Sequence, residues 1–327
     1  MRIKIAIVIL AALLVCSRAG FAQAAEKFLV VVKPVADIRS EPQDSTAGYE
    51  HDDLAETQVL YNEILRYQGE NTGWYKVEAG EQPEFSHHNQ WQGYPGWIKK
   101  NNVRFIEKLP EYTLVVNNRE ANVRKTFSED SDILTIVLAG TKFKDIGSRN
   151  DFYTVQLADN GIGWIAKQDV TRIGQSLSKD RRRKNIISAA KLFLDVPYVW
   201  GGRSMHAAFI NDAATGVDCS GLVNLAYRMS GLDISRDAHE QWMTATPIAA
   251  RELQPGDLIF VSKPDNAASI SHVMLSLGGE DFIEGPGTGA AVRICDFKAK
   301  FGLDRQGLEI KGYIVEGRKL YFGRMIP

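Results

Sequence analysis

Cysteine and net charge are both scarce in this chain of 327 residues, and each scarcity excludes a class of protein. The chain has 3 cysteines, too few for a disulfide framework at this length. Lys+Arg 39 against Asp+Glu 40 give a formal net charge of −1, so electrostatics provides no case for nucleic acid as a partner. With 44% hydrophobic and 24% charged residues, the composition is globular, which excludes disordered, collagenous and multi-span membrane proteins.

A long uncharged apolar run occurs only near the first residue. Arg2 and Lys4 precede the run Ile5–Val15, and Ala22-Gln23-Ala24 follows as a small-x-small cleavage signal. The run is much shorter than the ~20 apolar residues that a spanning helix needs. We therefore predict that residues 1–24 are a cleaved secretory signal, and we expect an exported protein, periplasmic or secreted. A retained anchor helix and a lipid-anchored cysteine are the alternatives.

The first half of the chain contains an internal repeat. The segment Gly96–Val103 matches Gly163–Val170 as GWIxKxxV, and two further segment pairs keep the same order. Those pairs are Trp74–Val77 with Phe152–Val155, and Ala36–Arg39 with Ala121–Arg124. Short alternating runs broken by Gly, Asn and Asp indicate strands. We predict two small all-β barrels, residues 27–108 and 109–173.

The first copy is longer than the second. The spacing between matched positions indicates two insertions in it, which we place at Tyr49–Glu63 and Glu84–Tyr94. Long loops on a small scaffold either carry function or merely decorate it, and the sequence leaves both open.

The second half has a different texture, after a polar linker at residues 174–180. Apolar residues after Arg181 recur at helical spacing, and Pro197 is expected to end that helix. A second helix is predicted at Ser220–Met229, stopped by Gly231. The predicted strands are Leu258–Val261, His272–Leu277, Asp281–Ile283 and Lys311–Val315. Helices followed by strands indicate an α+β domain over residues 181–327.

A candidate catalytic centre follows from three residues of this domain. Cys219 begins the second predicted helix, where unpaired N–H groups favour a thiolate. His272 heads a strand, and a cysteine nucleophile needs such an imidazole as its base. Glu284 lies on the next strand of a hairpin turning at Gly278-Gly279, so it would reach and orient the imidazole. An inert buried cysteine and a packed histidine are the alternative interpretation.

Five motifs in this order resemble the NlpC-type, papain-like cysteine peptidases of bacterial cell walls. They are Tyr198–Gly202, Asp218–Val223, Ser235–Ala238, Pro255–Phe260 and Ser271–Val273. The repeat with its GW-aromatic ending resembles bacterial SH3-like barrels. Two such barrels before the peptidase resemble the γ-D-glutamyl-diaminopimelate endopeptidases. Those enzymes cut the bond after D-glutamate in peptidoglycan stem peptides that have a free L-alanine.

The resemblance implies a role for each matching residue. Cys219 would be the nucleophile and His272 the general base. Asp218, Ser220 and Tyr198 would line the substrate cleft, and the Tyr198 hydroxyl with the Cys219 backbone N–H would stabilise the oxyanion. Two departures from the family stand out. The third catalytic position, usually His, Asn or Gln, is Glu284, and the long stretch Arg203–Val217 is either a lid over the cleft or decoration.

The resemblance also implies a pocket for the free amine of the substrate. Asp237 would face that amine, and the first barrel would complete the pocket with Tyr94 and Glu56, with Glu63 as the next choice. A buried carboxylate pair is costly unless an ammonium satisfies it. Peptides still joined to the glycan have an amide there, so we expect released stem peptides as substrates.

Other functions remain as alternatives. A non-catalytic murein-peptide-binding protein with a degenerate peptidase domain is one, suggested by Glu284, and a transpeptidase or amidase is another. Cys295 is interpreted as a small apolar residue of a strand, although a disulfide to Cys219 would silence the enzyme. We find no metal-ligand spacing and no phosphate loop, so we expect no cofactor, no metal and no nucleic acid. We expect a monomer.

Overall fold

The structure is a computed structural model that describes residues 26–45 and 51–326. It is mostly β, with several sheets and few helices. The predicted secretory signal lies outside the described residues. Within the part of the chain that the structure describes, no helix is long and apolar enough to cross a membrane.

The first β unit is one antiparallel sheet whose strands all contribute to a single apolar core. Its strands are β1 (Phe28–Val31), β2 (Val35–Arg39), β3 (Ala55–Leu60), β4 (Ile64–Asn71), β5 (Trp74–Glu84), β6 (Gln92–Lys99) and β7 (Val103–Ile106). In space they follow the order β3-β2-β6-β5-β4-β1-β7. The residues of this core alternate along the strands, as do Leu29 and Val31 on β1, Ala36 and Ile38 on β2, and Val77 and Ala79 on β5, so they lie on one face of the sheet.

The second β unit is built from two smaller sheets around a core of its own. Its strands are β8 (Leu114–Val116), β9 (Glu120–Arg124), β10 (Ile133–Leu138), β11 (Lys142–Phe143), β12 (Asp145–Arg149), β13 (Phe152–Gln156), β14 (Ile162–Ala166) and β15 (Val170–Arg172). The sheet orders are β10-β9-β14-β13-β12 and β11-β8-β15. Its central strand sequence, β9-β14-β13-β12, corresponds to β2-β6-β5-β4 of the first unit.

The two units repeat each other down to their irregularities. The pairing of β2 with β3 skips Glu56, and the pairing of β9 with β10 skips Leu134, so each is the extra residue of a β-bulge. A methyl group on Gly96 would lie 2.4 Å from Ile38, and one on Gly163 would lie 2.4 Å from Val123. Glycine is therefore needed at both positions for the same reason, and the internal repeat is a repeat of structure.

This alignment corrects the position of the first insertion. Strand β3 has a counterpart in β10, so Glu56 belongs to the repeated frame rather than to an insertion. The extra residues lie between Arg39 and Ala55 instead. The second insertion does include Glu84–Tyr94, because β5 and β6 extend beyond their counterparts β13 and β14.

The third unit is α+β. Its helices are α1 (Lys179–Lys191), α2 (Cys219–Arg228), α3 (Ala238–Thr244), α4 (Phe297–Phe301) and α5 (Arg305–Ile310). Its strands are β16 (Thr246–Pro247), β17 (Leu258–Lys263), β18 (Asn266–Gly278), β19 (Asp281–Glu284), β20 (Arg293–Asp296), β21 (Ile314–Val315) and β22 (Arg318–Arg324). The sheet order is β16-β22-β17-β18-β19-β20, with β21 paired to β22. Helix α2 lies between α1 and β18, with its whole length buried.

The sequence pattern predicts the long elements of this unit better than the short ones. Both predicted helices are present, but α1 begins at Lys179, inside the expected linker, and ends at Lys191, before Pro197. The predicted strand Lys311–Val315 is wrong in its first part, because Lys311 caps α5. The short helices α3, α4 and α5 have no sequence prediction, since segments this short show too little periodicity.

A cluster of four charged side chains joins the three units. Lys142 of the second unit lies 2.8 Å from Glu81 of the first unit and 2.6 Å from Asp233 of the third. Arg228, at the end of α2, contacts the same two carboxylates at 2.8 and 3.1 Å. Burial raises the pKa of Glu81, but Arg228 and Lys142 outweigh it and lower that pKa to about 2. The cluster thus stays ionised and fixes both β units against the helix that begins at Cys219.

Candidate active site

Cys219 is the first residue of α2 and is mostly buried, with 8% of its surface exposed. The helix starts here because the Asp218 carboxylate accepts a hydrogen bond from the Gly221 backbone N–H at 2.6 Å, which caps the first turn. A methyl group on Gly221 would lie 2.2 Å from the carbonyl oxygen of Gly202, so the first turn of α2 and the Gly201-Gly202 segment meet at glycines. The unpaired N–H groups and the dipole of this helix end favour a negative charge on the sulfur.

His272 lies on β18 and contacts both predicted partners. Its Nε2 atom lies 2.9 Å from Glu284 Oε2 on the neighbouring strand β19, and its ring is also hydrogen-bonded to Cys219. The predicted hairpin through Gly278-Gly279 is present and produces this approach. Burial lowers the pKa of His272, but the hydrogen bonds to Cys219 and Glu284 outweigh it and raise the pKa to about 9. The imidazole is therefore protonated at neutral pH.

Glu284 is fully buried, yet its charge is compensated on every side. Besides His272, it accepts hydrogen bonds from Arg293 at 3.0 and 3.2 Å and from Lys300 at 2.6 Å. Burial raises the pKa of Glu284, and the bonds to His272 and Lys300 reverse this and lower it to about 2. A buried carboxylate with three cationic partners is a stable, ionised orienting group for the imidazole. Arg293 and Lys300 were not singled out from the sequence, because a lone basic residue there is typical of a solvated surface.

Tyr198 lies near the nucleophile and lines the same cleft as Cys219 and His272. Burial, then the nearby charges of Asp218 and Cys219, raise its pKa above the usual value. The hydroxyl therefore keeps its proton and can donate a hydrogen bond to an oxygen in the cleft.

Asp218 and Ser220 flank the nucleophile but are committed to a buried network. Both accept hydrogen bonds from Arg236, Asp218 at 2.7 and 3.0 Å and Ser220 at 2.9 Å. Arg236 is fully buried and also donates to Thr57 of the first β unit at 2.7 Å. These two residues therefore hold the start of α2 in place, and lining of the substrate cleft by their side chains stays a prediction. Sequence reasoning missed Arg236, although it stands inside a quoted motif.

The residues predicted for the amine pocket meet across the boundary between the first β unit and the third unit. The Tyr94 hydroxyl lies 2.9 Å from Asp237 Oδ2 and 3.2 Å from Glu56 Oε2, within donating distance of both. Glu63, the next choice for the acidic residue, is elsewhere, in a fully buried ion pair with Arg203 at 2.9 Å. Among the two candidates, only Glu56 is at the pocket.

The electrostatics of this pocket favour a cation. Burial raises the pKa of Asp237, Arg236 lowers it, and Asp218 and Glu240 raise it again, to a net value of about 7. Although Asp237 precedes α3, its side chain makes no capping hydrogen bond; its carboxylate instead accepts from Tyr94 and lies 3.6 Å from Arg236. An ammonium placed here would favour the ionised form of Asp237 and would offset the repulsion among the carboxylates.

The second insertion of the first β unit closes over this pocket. Ser86 donates hydrogen bonds from its backbone N–H, at 3.1 Å, and from its hydroxyl to Glu240 on α3. His87 bridges Glu84 at 2.9 Å and Glu56 at 3.2 Å, and these contacts raise the pKa of His87 to about 9, the bond to Glu56 being the larger cause. The insertion thus contributes Tyr94 and positions Glu56. Its His87, which we did not single out for this site, is a cation next to the pocket.

The stretch Arg203–Val217 does not cover the nucleophile. None of its described residues lines the cleft that contains Cys219. Instead it lies against the first β unit, where Gln58 donates to the Ala214 carbonyl oxygen at 2.7 Å and accepts from Ser204 at 2.7 Å. Neither prediction for this segment, a lid over the cleft or a decoration without contacts, is correct. The segment packs between the third unit and the first β unit and connects them through hydrogen bonds.

Both cysteines of the described chain are free thiols. Cys295 lies on β20, partly buried beside an apolar cluster, as expected for a small apolar residue of a strand. The disulfide to Cys219 that would block the nucleophile is absent from the described residues.

Comparison with known proteins identifies the third unit. The family model described as "NlpC/P60 family" matches residues 195–306. Residues 195–306 are an NlpC/P60 domain. The match includes Cys219, His272 and Glu284, so the candidate centre lies inside the family domain.

The similarity extends beyond this domain. The chain is 26% identical over 252 residues to a γ-D-glutamyl-L-lysine dipeptidyl-peptidase of Bacillus subtilis (strain 168), covering 77% of this chain and 79% of that protein. A protein of the same name from Bacillus cereus (strain ATCC 10987 / NRS 248) is 28% identical over 244 residues, covering 73% and 69%. The crystal structure of an NlpC/P60 family protein from Bacillus cereus ATCC 10987 matches with a TM-score of 0.72 at 23% identity, covering 92% of this chain and 100% of that one. The chain is thus homologous to these dipeptidyl-peptidases and shares its fold with the solved structure.

Proposed function

We propose that this chain is a cell-wall cysteine endopeptidase. It hydrolyses the γ-D-glutamyl-diaminopimelate bond of peptidoglycan stem peptides that have a free N-terminal L-alanine. The names of the homologous dipeptidyl-peptidases support a γ-D-glutamyl substrate. The observation that carries the proposal is the contact of Tyr94 with both Glu56 and Asp237, which places two carboxylates beside the nucleophile domain at a site suited to an α-ammonium.

Catalysis proceeds through a thioester. The thiolate of Cys219 attacks the γ-carbonyl carbon of D-glutamate, and the oxyanion is stabilised by the Cys219 backbone N–H and the Tyr198 hydroxyl. The His272 imidazolium gives its proton to the departing amine of diaminopimelate, and the C–N bond breaks. Water then attacks the thioester while the neutral imidazole takes its proton, which releases L-Ala-D-Glu and restores the thiolate–imidazolium pair.

Glu284 sets the orientation and the protonation state of His272 during this cycle. Its hydrogen bond fixes the ring so that Nδ1 faces the sulfur, because Nε2 is already occupied. Its negative charge raises the His272 pKa, which stabilises the ion pair before attack. The same charge makes proton donation less favourable, and Lys300 and Arg293 reduce that penalty by sharing the carboxylate.

We further propose the organisation that goes with this activity. Residues 27–108 and 109–173 are two SH3-like barrels, and residues 181–327 are the peptidase. The shared bulges and the recurring GW segments support a common barrel design. Residues 1–24 direct export, and the mature protein is periplasmic or secreted, where stem peptides are found.

The test is mass spectrometry of the mature protein with two peptides, L-Ala-γ-D-Glu-diaminopimelate and its N-acetylated form. We expect release of L-Ala-D-Glu from the free peptide alone, complete loss in Cys219→Ala, and full activity in the control Cys295→Ala. Cleavage of both peptides would contradict the amine pocket. Binding without turnover, unchanged in Cys219→Ala, would instead identify a non-catalytic murein-peptide-binding protein.

A further inference from the structure

The cleft at Cys219 continues on the side away from the amine pocket. It encloses about 660 Å³ and is lined by Tyr198, Cys219 and His272 among others. Of the described residues that line it, none belongs to the first β unit, and Asp237 is not among them. If the acyl part of the substrate reaches from Cys219 towards the amine pocket, the departing amino acid must occupy this opposite cavity.

A tight hairpin forms the outer wall of the cavity. Strands β21 and β22 pair Val315 directly with Arg318, leaving a two-residue turn of Glu316 and Gly317. Both turn residues are left-handed, with φ of 50° and 71°, which is the geometry of the tightest hairpins. Glu316 of the turn and Arg318 at the start of β22 both line the cavity, so the hairpin presents one acid and one base there, two residues apart in the chain.

Arg318 has an unused recognition edge. Its Nη1 group donates to the Ser262 carbonyl oxygen and to the Ser271 hydroxyl, both at 3.4 Å, and Ser271 directly precedes His272. Among the described residues, none accepts a hydrogen bond from Nε or Nη2 of Arg318. A guanidinium edge of this kind binds a carboxylate through two parallel hydrogen bonds. Lys300 lines the same cavity, but its ammonium is bound to Glu284.

We propose that Arg318 and Glu316 form a leaving-group subsite for the distal amino-acid centre of diaminopimelate. The inference rests on the proposed function and extends it to the far side of the scissile bond. The distal carboxylate binds Arg318, and the distal ammonium binds Glu316. L-Lysine has only the ammonium, so Arg318 is the residue that distinguishes the two diamino acids.

The experiment measures kcat/KM of the mature protein for L-Ala-γ-D-Glu-diaminopimelate and for L-Ala-γ-D-Glu-L-Lys. The variants are Arg318→Ala, Arg318→Lys, Glu316→Gln and a matched control, Lys319→Ala. Lys319 is the next residue of the same strand but lines a different cavity, and its ammonium lies over the Tyr321 ring. The control therefore removes the same charge from the same hairpin without touching the proposed subsite.

The wild type is expected to prefer the diaminopimelate peptide. Arg318→Ala should lower kcat/KM for it roughly tenfold to a hundredfold, the range for a hydrogen-bonded charged partner, and leave the lysine peptide nearly unchanged. Arg318→Lys should retain part of the preference for the diaminopimelate peptide. Glu316→Gln should lower kcat/KM for both peptides to a similar extent. Lys319→Ala should change neither.

The outcomes separate this inference from the proposed function. If the wild type cuts both peptides and Arg318→Ala lowers both equally, or neither, the subsite assignment is wrong while the endopeptidase stands. If the wild type cuts neither peptide, both fail. A loss of activity in Lys319→Ala as large as in Arg318→Ala would show a general effect of the hairpin and would also overturn the assignment.

Discussion

The two β units have the same frame, but only the first contributes residues to the candidate site. Each carries a bulge at the same place, and a bulge turns its extra residue away from the regular alternation of the strand. In the first unit the bulged residue is Glu56, which reaches Tyr94 and His87 at the pocket. In the second it is Leu134, which is 46% exposed. The acid at this bulge and the Tyr94 and His87 side chains of the second insertion together distinguish the first unit from the second, outside the shared core.

The second unit instead supports the helix of the nucleophile from its far end. Its Gly140 carbonyl oxygen accepts a hydrogen bond from Arg228 at 2.8 Å, and Leu138 and Ala139 share the core around α2. Its contacts are with the last turn of α2, whereas Cys219 is in the first. We infer that the first unit selects the substrate and the second stabilises the fold.

Among the variants that test this difference between the two units, Glu56→Gln should have the largest effect on activity. It keeps the size of the side chain and removes the charge that pairs with the substrate ammonium. We expect kcat/KM for L-Ala-γ-D-Glu-diaminopimelate to fall about a hundredfold, mainly through KM, as for loss of a hydrogen bond to a charged group. Glu120→Gln, an exposed acid on β9 of the second unit, is the control and should be neutral. If both variants lowered kcat/KM equally, the conclusion that only the first unit selects the substrate would be wrong.

The next largest effect concerns stability. Lys142→Met removes the cation of the second unit from the cluster with Glu81 and Asp233, and leaves Arg228 to compensate both. Since Asp233 is partly exposed, we expect a loss of about 2 kcal/mol in the free energy of unfolding, below the range for a fully buried pair. Urea unfolding measures it, and kcat/KM per folded molecule should stay unchanged. A drop in kcat/KM at full stability would give the second unit a part in substrate selection.

The pH dependence should separate the pocket from the catalytic pair. Asp237, with its pKa raised to about 7, is neutral at lower pH, so kcat/KM for the free-amine peptide should fall below pH 7. His272, with its pKa raised to about 9, loses the proton it donates above that pH, so kcat should fall there. The basic limb is measured in kcat because the peptide's own α-amine titrates near pH 8 and would affect kcat/KM.

Glu284→Gln is the variant that sharpens this profile. Removing the carboxylate lowers the pKa of His272, so the basic limb of kcat should move to lower pH by about one unit, which corresponds to about 1.4 kcal/mol. The acid limb of kcat/KM should not move, because Glu284 lies away from Asp237. A shift of the acid limb instead would mean that the two parts of the site titrate together.

The proximity of the three candidate catalytic residues could be predicted from the sequence because local patterns position them. A cysteine after an N-cap aspartate marks a helix start, and Gly278-Gly279 between two apolar runs marks the hairpin that joins His272 to Glu284. The long elements followed for the same reason, since α2 and β17 to β19 have clear apolar runs, α2 stops shortly before Gly231, and β18 and β19 flank the hairpin turn.

The amine pocket could not be predicted in the same way. Tyr94 and Asp237 are 143 residues apart, and their contact depends on how two separate units pack. Glu56 was chosen by resemblance alone, and the bulge that directs it is invisible in the residue pattern. Arg236, Arg293 and Lys300 were missed because a charged side chain is usually solvated, and only the fold shows that these three hold buried carboxylates.

The smallest expected effect is at the position of the second unit that matches Glu56. Leu134 is the bulged residue there and is exposed, with no part in the described core of that unit. We therefore expect Leu134→Gln to change the free energy of unfolding by less than about 0.5 kcal/mol, as surface substitutions do, and to leave kcat/KM unaltered. Together, Leu134→Gln and Glu56→Gln put the same amide side chain at the matching bulge of each unit. Urea unfolding and peptide cleavage are measured for both variants. A large effect at Leu134 would show that the bulge of the second unit also faces a partner, and that the two units differ in what they bind rather than in whether they bind.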